Sequence, residues 1–167
     1  MREITKTFKV YKFNELNETA KNKALFYFSD INTDYDWWEY IYEEASNLGA
    51  EISGFDIGRS NDIDIEVSDY ESFAREVIKS HGVNCVTYID ACKFLADAKE
   101  LLDLDTDDIT YEQGHELEEK CSEYLNDIKH EYLKMLRDEY EYRSSEEAIT
   151  ESILANEYEF LENGDLT

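Results

Sequence analysis

The chain has 167 residues, and its 41 acidic side chains against 16 lysines and arginines give a formal net charge of −25. A surface of this sign repels nucleic-acid phosphates and anionic lipid leaflets, which excludes direct nucleic-acid and membrane binding and favours basic protein partners. Apolar residues make up 42% of the chain and include 13 Tyr, 8 Phe and 2 Trp, enough to bury one core, so we expect a single domain over residues 1–167.

The charge is distributed unevenly along the chain. Residues 1–25 carry six bases and three acids, net +3; residues 26–96 carry four and fifteen, net −11; residues 97–167 carry six and twenty-three, net −17. Adaptation to high salt, or to solubility in general, explains acids on every face of a protein but not this gradient. The gradient favours an acidic surface built mainly from the later part of the chain.

The first 49 residues are predicted to form a strand followed by two helices. Residues 2–13 alternate in side-chain type and are rich in β-branched and aromatic residues, which is typical of a strand. Asn14 or Asn17 is positioned to cap a helix that ends near Ser29. A second helix is expected over residues 34–49, with aspartates at its start and a glycine at its end.

Adjacent tryptophans begin the apolar stripe of that second helix. Because most of its apolar residues recur at helical spacing, packing in or near the core is the ordinary interpretation. The alternative is functional: Trp38 and Tyr42 would lie on the surface and anchor a protein partner, as aromatic residues often do at interfaces.

Residues 50–57 and 62–68 alternate apolar and polar side chains around a GRSN turn, which predicts a β-hairpin. Its second strand carries Asp62 and Asp64 on alternate positions, an arrangement that raises the question of calcium. The twelve-residue calcium loop with its central glycine is absent, and period-two spacing places both acids on one solvated face. We therefore predict no metal site there.

Two helices are expected between the hairpin and residue 104. Asp69 is placed to cap the first, which ends at the His81-Gly82 pair. The second is predicted over about Asn84–Leu104 with a wide apolar face. The sequence DLDTDD, residues 103–108, then breaks the pattern and supplies capping residues for the next helix.

The longest uninterrupted helical pattern spans Tyr111–Arg143, about 45–50 Å of helix. Its apolar side chains recur every three or four positions and predict a buried stripe: Leu117, Cys121, Tyr124, Leu125, Ile128, Tyr132, Met135, Leu136 and Tyr140. The opposite side carries what we call the acid row: Glu116, Glu119, Glu123, Asp127, Glu131, Asp138 and Glu141.

The spacing of the acid row suggests a function. One acid every three or four residues places charges roughly 5–6 Å apart along the axis, comparable to successive phosphates on a DNA strand. A groove lined by lysine and arginine to receive nucleic acid would attract such a helix. The alternative is a plain solvated helix with its charges on the outside.

The C-terminal part is predicted to hold one more helix, capped by Ser144 or Ser145, and then a short strand with a tight turn at Asn163-Gly164. The expected fold is therefore α+β. It consists of one small antiparallel sheet, formed by the N-terminal strand, the hairpin and the C-terminal strand, packed with five or six helices.

The sequence contains no recognisable catalytic motif. Its three histidines do not combine with serine, cysteine or acids at the spacing of a known catalytic set, and no glycine-rich phosphate loop is present. The three cysteines, Cys85, Cys92 and Cys121, form no zinc pattern and fit a reducing cytosol. We expect a protein that is not an enzyme and takes no cofactor.

The chain resembles a widespread group of small acidic proteins from bacteriophages and prophages at three segments: KVYKFNELNETAKNKAL (9–25), DYDWWEYIYEEASNLG (34–49) and SSEEAITESILANEYEFLENG (144–164). This resemblance implies a viral protein that acts in the cytosol of a host bacterium. In size and acidity the chain is also similar to phage anti-CRISPR and antirestriction proteins, several of which occupy the nucleic-acid site of a host nuclease.

Charge, size and resemblance together suggest a phage-encoded inhibitor of a host defence nuclease, Cas9 among the candidates, that acts as a DNA mimic. The alternative is an antitoxin-like or assembly module that binds a basic protein. The oligomeric state is not decided between monomer and homodimer, because a long amphipathic helix can pack in its own core or against a copy of itself. The residues expected to bind the partner are Glu116, Glu119, Glu123, Asp127, Glu131, Asp138, Asp62, Asp64, Trp38 and Tyr42.

Overall fold

A computed structural model describes residues 1–2, 7–104 and 109–167 of the chain and has an α+β fold, as predicted. Within these residues it contains four short strands, one 3₁₀ helix (Phe13–Glu15) and seven α-helices. The strands are β1 (Tyr11–Lys12), β2 (Ala50–Asp56), β3 (Asp62–Val67) and β4 (Glu159–Phe160). The helices are α1 (Glu18–Tyr27), α2 (Glu39–Leu48), α3 (Tyr70–Ser80), α4 (Val86–Asp97), α5 (Lys99–Leu102), α6 (Tyr111–Arg143) and α7 (Glu146–Ala155).

The chain divides into two compact units. The first unit comprises Met1–Trp37 and Glu139–Thr167, and the second comprises Trp38–Asp138. The single domain over residues 1–167 stays a prediction. The expected single sheet is instead two antiparallel pairs, because β1 pairs only with β4 and β2 only with β3 among the described strands.

The first unit is built on capped helices and a small aromatic core. The Ala20 N–H donates to Asn17 Oδ1 (3.0 Å) at the start of α1, and the Ala148 N–H donates to Ser145 Oγ (3.2 Å) at the start of α7, so both predicted caps are present. Small alanines on α1 let the neighbouring side chains pack closely. The core consists of Phe13, Leu16, Ala20, Ala24, Phe28, Ile149, Ile153 and Phe160.

The N-terminal strand is much shorter than predicted. Of residues 2–13, only Tyr11–Lys12 pair with another strand, and residues 3–6 of that prediction lie outside the described residues. Phe8 and Val10 are exposed, since no described strand lies beside them. The C-terminal prediction is confirmed: β4 is followed by a turn in which Gly164 adopts φ +84°.

The second unit begins with α2, which starts five residues later than predicted. Asp34 and Asp36 are exposed and do not cap it; Asp34 instead closes a turn by donating its N–H to the Asp30 carbonyl (2.8 Å). The helix ends, as predicted, at Gly49 with φ +100°, a left-handed conformation that favours glycine.

The predicted hairpin and the helix after it are confirmed. Strands β2 and β3 alternate in burial, and the core side is formed by Ala50, Ile52, Ile63 and Ile65. At the start of α3 the Ser72 N–H donates to Asp69 Oδ1 (3.0 Å). The helix predicted over Asn84–Leu104 is split into α4 and α5 at Ala98, where the backbone leaves the α4 hydrogen-bond pattern.

Helix α6 has the predicted bounds. Residues 105–108, expected to supply its cap, lie outside the described residues; Thr110 takes that place, because the Gln113 N–H donates to Thr110 Oγ1 (3.3 Å) and the Thr110 N–H donates to Gln113 Oε1 (3.0 Å). Its buried positions are Tyr124, Ile128, Tyr132, Leu133 and Leu136. Within the predicted stripe, Met135 and Tyr140 are exposed instead of buried.

Candidate functional site

All ten residues predicted to bind a partner lie in the second unit. The acid row faces solvent along α6 there: Glu131 is half-buried, and the exposed members are Glu116, Glu119, Glu123, Asp127 and Asp138. From Glu116 to Glu131 successive acids are three or four residues apart, which spaces them by about 4.5–6 Å along the axis. This stretch is the most regular array of charge on the helix.

Basic side chains meet the row near its N-terminal end. Lys120 Nζ lies 3.4 Å from Glu116 Oε1, and His115 Nδ1 lies 3.6 Å from Glu119 Oε1. Both pairs are on a helix surface, where water screens them, and each stabilises the fold by about 0–1 kcal/mol. A partner's base can therefore replace either one at little cost.

The middle of the row is not neutralised in this way. Glu123 and Asp127 form no ion pair with any described residue. Beyond Glu131 the row is interrupted by exposed Lys134 before it resumes at Asp138. The part of the row without ion pairs to described residues is thus centred on Glu123 and Asp127.

The hairpin acids Asp62 and Asp64 are exposed on the solvent side of β3. The Asp62 carboxylate accepts the Ile63 N–H (2.9 Å). Asp56, at the end of β2, closes the turn: it accepts the N–H groups of Ser60, Gly58 and Arg59, and these bonds hold its pKa down at about 2. Asp56 therefore stabilises the turn.

Trp38 and Tyr42 are half-buried and pack against the hairpin. The Phe55 ring lies 5.4 Å from the Trp38 ring and 6.3 Å from the Tyr42 ring, both close to edge-on. Burial, and then the charge of Asp64, raise the pKa of Tyr42. The structure thus brings Tyr42 and Asp64 together, whereas their contact with a partner stays a prediction.

A hydrogen bond joins the hairpin to the far end of the acid row. The Arg137 guanidinium on α6 donates to Asn61 Oδ1 in the hairpin turn. Asp62 and Asp138 directly follow these two residues in the chain. The hairpin turn is therefore tied to α6 at the residue before Asp138.

A cleft between α4 and α6 contains acids that the sequence analysis missed. Its cavity volume is about 40 Å³, and each helix lines it with positions three, four and seven apart: Asp90, Lys93, Phe94 and Asp97 from α4, and Lys120, Glu123, Tyr124 and Asp127 from α6. The spacing of Asp90 and Asp97 on one side of a predicted helix was the available signal. It could not show that this side faces the acid row.

The acids across this cleft affect one another. Burial, and then the charges of Asp127 and Glu131, raise the pKa of Asp90, and nearby Lys93 offsets only part of this effect. The ionised form of Asp90 is therefore disfavoured in the folded protein. In the same cleft, the rings of Phe94 and Tyr124 stack almost parallel with centroids 4.7 Å apart.

A second polar cluster in this unit is internal. The Tyr132 hydroxyl donates to Glu44 Oε2 (2.7 Å), while His81 joins Glu44 Oε1 through Nε2 (2.6 Å) and Thr87 Oγ1 through Nδ1 (2.6 Å). The Thr87 side chain is buried, so its hydroxyl is not presented to a substrate. The cluster ties α2, α4 and α6 to the end of α3.

Comparison of the chain with protein-family models, with curated protein sequences and with solved structures finds no match. Across residues 1–2, 7–104 and 109–167, no set of three or more His, Cys, Asp or Glu side chains is arranged to hold a metal ion. None of the described helices combines the length and the apolar character needed to cross a membrane. The candidate site therefore rests on its own geometry and charge.

Proposed function

We propose that the chain is an inhibitor that presents the acid row in place of nucleic-acid phosphate to a basic nucleic-acid-binding protein. The proposed target is a host defence nuclease of the CRISPR type, Cas9 among the candidates, and the proposed setting is a phage-encoded protein in the bacterial cytosol. The observation that carries the proposal is the regularly spaced, solvent-facing stretch Glu116–Glu131, with Glu123 and Asp127, which form no ion pair with any described residue, at its centre.

Crowding of like charges favours recognition over solubility. A surface selected for solubility gains most from dispersed charges, because neighbouring acids repel one another and destabilise the fold. Here burial, and then the charges of Asp127 and Glu131 on α6, raise the pKa of Asp90 on α4. A basic partner would relieve this repulsion, so the arrangement is costly in the free protein and favourable in a complex.

The remaining predicted residues form the margin of the proposed surface. Asp62 and Asp64 add exposed charge on the hairpin, and half-buried Trp38 and Tyr42 pack against Phe55 of the same hairpin. Charged contacts at a margin mainly accelerate association and set its salt dependence. The tightest contacts are expected at the centre of the row.

The proposal is tested by inhibition of a purified Cas9–guide complex, measured as cleavage of a labelled duplex with increasing amounts of the protein. Inhibition should be competitive with duplex DNA. It should weaken at least tenfold when salt rises from about 50 to 200 mM, because several ion contacts are replaced by counterions. The test variant replaces four row acids with their amides: Glu116, Glu119, Glu123 and Asp127.

A control variant removes the same charge elsewhere. It replaces four exposed acids of the first unit with amides: Asp30, Asp34, Asp36 and Glu151. The row variant should lose inhibition and the control should retain most of it. Equal losses of inhibition in the two variants would show that inhibition depends only on net charge, and would reject the mimicry mechanism. Binding that DNA does not compete with would favour the antitoxin-like or assembly module.

A further inference from the structure

We propose that the cleft between α4 and α6 receives an arginine side chain of the bound protein. This inference deepens the proposed function and rests on it for the nature of the partner. It assigns a specific contact to a surface otherwise described only by its charge, and it includes two acids outside the acid row, Asp90 and Asp97.

Charge and size favour a cationic head group in the cleft. Four carboxylates line it against the two amines of Lys93 and Lys120, and Glu131 adds its charge to Asp90. Lys120 already has a partner in Glu116 outside the cleft. The cavity volume of about 40 Å³ limits the ligand to a small head group.

An unpaired hydroxyl provides an independent indication of a ligand. Tyr124 lines the cleft and is only 3% exposed, yet its hydroxyl has no hydrogen-bond partner. The charge of Asp90 acts on this hydroxyl and contributes, after burial, to the raised pKa of Tyr124. Buried polar groups in proteins are usually paired, so an unpaired hydroxyl beside a carboxylate marks a place where a donor can bind.

The geometry favours arginine over lysine. Carboxylates lie on both walls of the cleft: Asp90 and Asp97 on α4, and Glu123 and Asp127 on α6. A guanidinium has five N–H donors in a plane and pairs with several acceptors at once, whereas an ammonium is a compact and more strongly hydrated charge. Arginine therefore gains more than lysine when it enters a partly dehydrated acidic cleft.

The experiment uses the full chain and three peptides that differ in one side chain. Ac-Gly-Gly-Arg-Gly-Gly-amide is titrated by NMR against its lysine and citrulline counterparts, with the ring signals of Phe94 and Tyr124 as reporters. The arginine peptide should shift these signals and bind several-fold more tightly than the lysine peptide. The uncharged citrulline peptide should cause no saturable shift.

Matched variants locate the site. Asp90→Asn with Asp97→Asn should weaken binding of the arginine peptide about tenfold, whereas Asp34→Asn with Asp36→Asn removes the same charge from the first unit and should change it less than twofold. Tyr124→Phe should weaken binding several-fold without lowering the melting temperature. Equal losses in the two double variants, or equal affinity for arginine and lysine, would overturn the proposal.

The two proposals fail separately. Inhibition of the nuclease that is unchanged by Asp90→Asn with Asp97→Asn would reject the arginine site and leave the inhibitor function standing. Binding of the arginine peptide in the cleft, together with no inhibition and no competition with duplex, would reject the inhibitor function and retain the site.

Discussion

Two buried tyrosines on α6 allow the hydrogen-bond pattern of the second unit to be tested with one chemical change. Tyr132 is 1% exposed and Tyr124 is 3% exposed, and they lie about two helical turns apart. The Tyr132 hydroxyl donates to the Glu44 carboxylate (2.7 Å), whereas the Tyr124 hydroxyl has no partner. Replacing each by phenylalanine removes one oxygen from a buried side chain, and only the Tyr132 replacement also removes a hydrogen bond.

The two replacements should have opposite effects on the free energy of unfolding. A hydrogen bond to a charged group contributes about 1.5–3 kcal/mol. Because the Glu44 side chain is 33% exposed and water can replace part of the contact, we expect Tyr132→Phe to lower the free energy of unfolding by about 1–2 kcal/mol. Tyr124→Phe breaks no bond and removes an unpaired hydroxyl, so it should leave the value unchanged or raise it by up to about 1 kcal/mol.

Urea unfolding followed by circular dichroism measures both effects. With a slope of about 1–3 kcal/mol per molar urea, the midpoints of the two variants should differ by roughly 0.5–1.5 M. A double-mutant cycle with Glu44→Gln isolates the Tyr132 contact, since the tyrosine replacement should cost less once the carboxylate is gone. Equal destabilisation by the two phenylalanines would refute the argument, because the partner of the hydroxyl would then be irrelevant.

Two further predictions concern the acids and the C-terminal turn. Burial and the neighbouring charges raise the folded-state pKa of Asp90 above its ordinary value of 3.8. The contribution of Asp90 to the free energy of unfolding is therefore fully present below pH 3.8 and is lost as the pH rises through the raised pKa. Asp90→Asn should therefore raise the melting temperature by about 1–3 °C at pH 7 and give no gain at pH 3, measured by thermal unfolding; a larger gain at pH 3 would contradict the assignment. In the first unit, Gly164→Ala should lower the free energy of unfolding by about 3 kcal/mol or more, because φ is +84° and the new Cβ would lie 2.3 Å from the Ala20 carbonyl oxygen. Gly49→Ala, at φ +100° with no atom within 4 Å, should cost only about 1–2 kcal/mol in the same urea assay, and equal costs would rule out the clash.

Features of the fold that depend on near neighbours in the chain were predictable from sequence. The caps at Asn17, Asp69 and Ser145 each require a side chain and an N–H three residues later, and all three are present. The hairpin and the bounds of α6 follow from periodicity in the same way. These signals are local, so they survive without knowledge of the tertiary structure.

Features that depend on distant partners were not predictable. The N-terminal alternation could not reveal that β4 pairs with only two residues of it, and the apolar pattern continues through Ala98, where α4 ends. The Tyr132–Glu44 bond spans 88 residues and the Glu44–His81 contact spans 37. The role of Asp90 was not predictable for the same reason, because it depends on the acids of α6 that act on Asp90.

Because of its position, Asp90 should affect the stability of the free protein and the stability of its complex in opposite directions. Its ionised form is disfavoured in the free protein, first by burial and then by the charges of Asp127 and Glu131, and a cation in the cleft would offset that penalty. Neutralising Asp90 should therefore stabilise the free protein and weaken its complex, whereas neutralising an acid that holds the fold together weakens both. Opposite signs from one substitution are expected where a protein retains a strained group for binding, and they separate a recognition surface from charge kept for solubility alone.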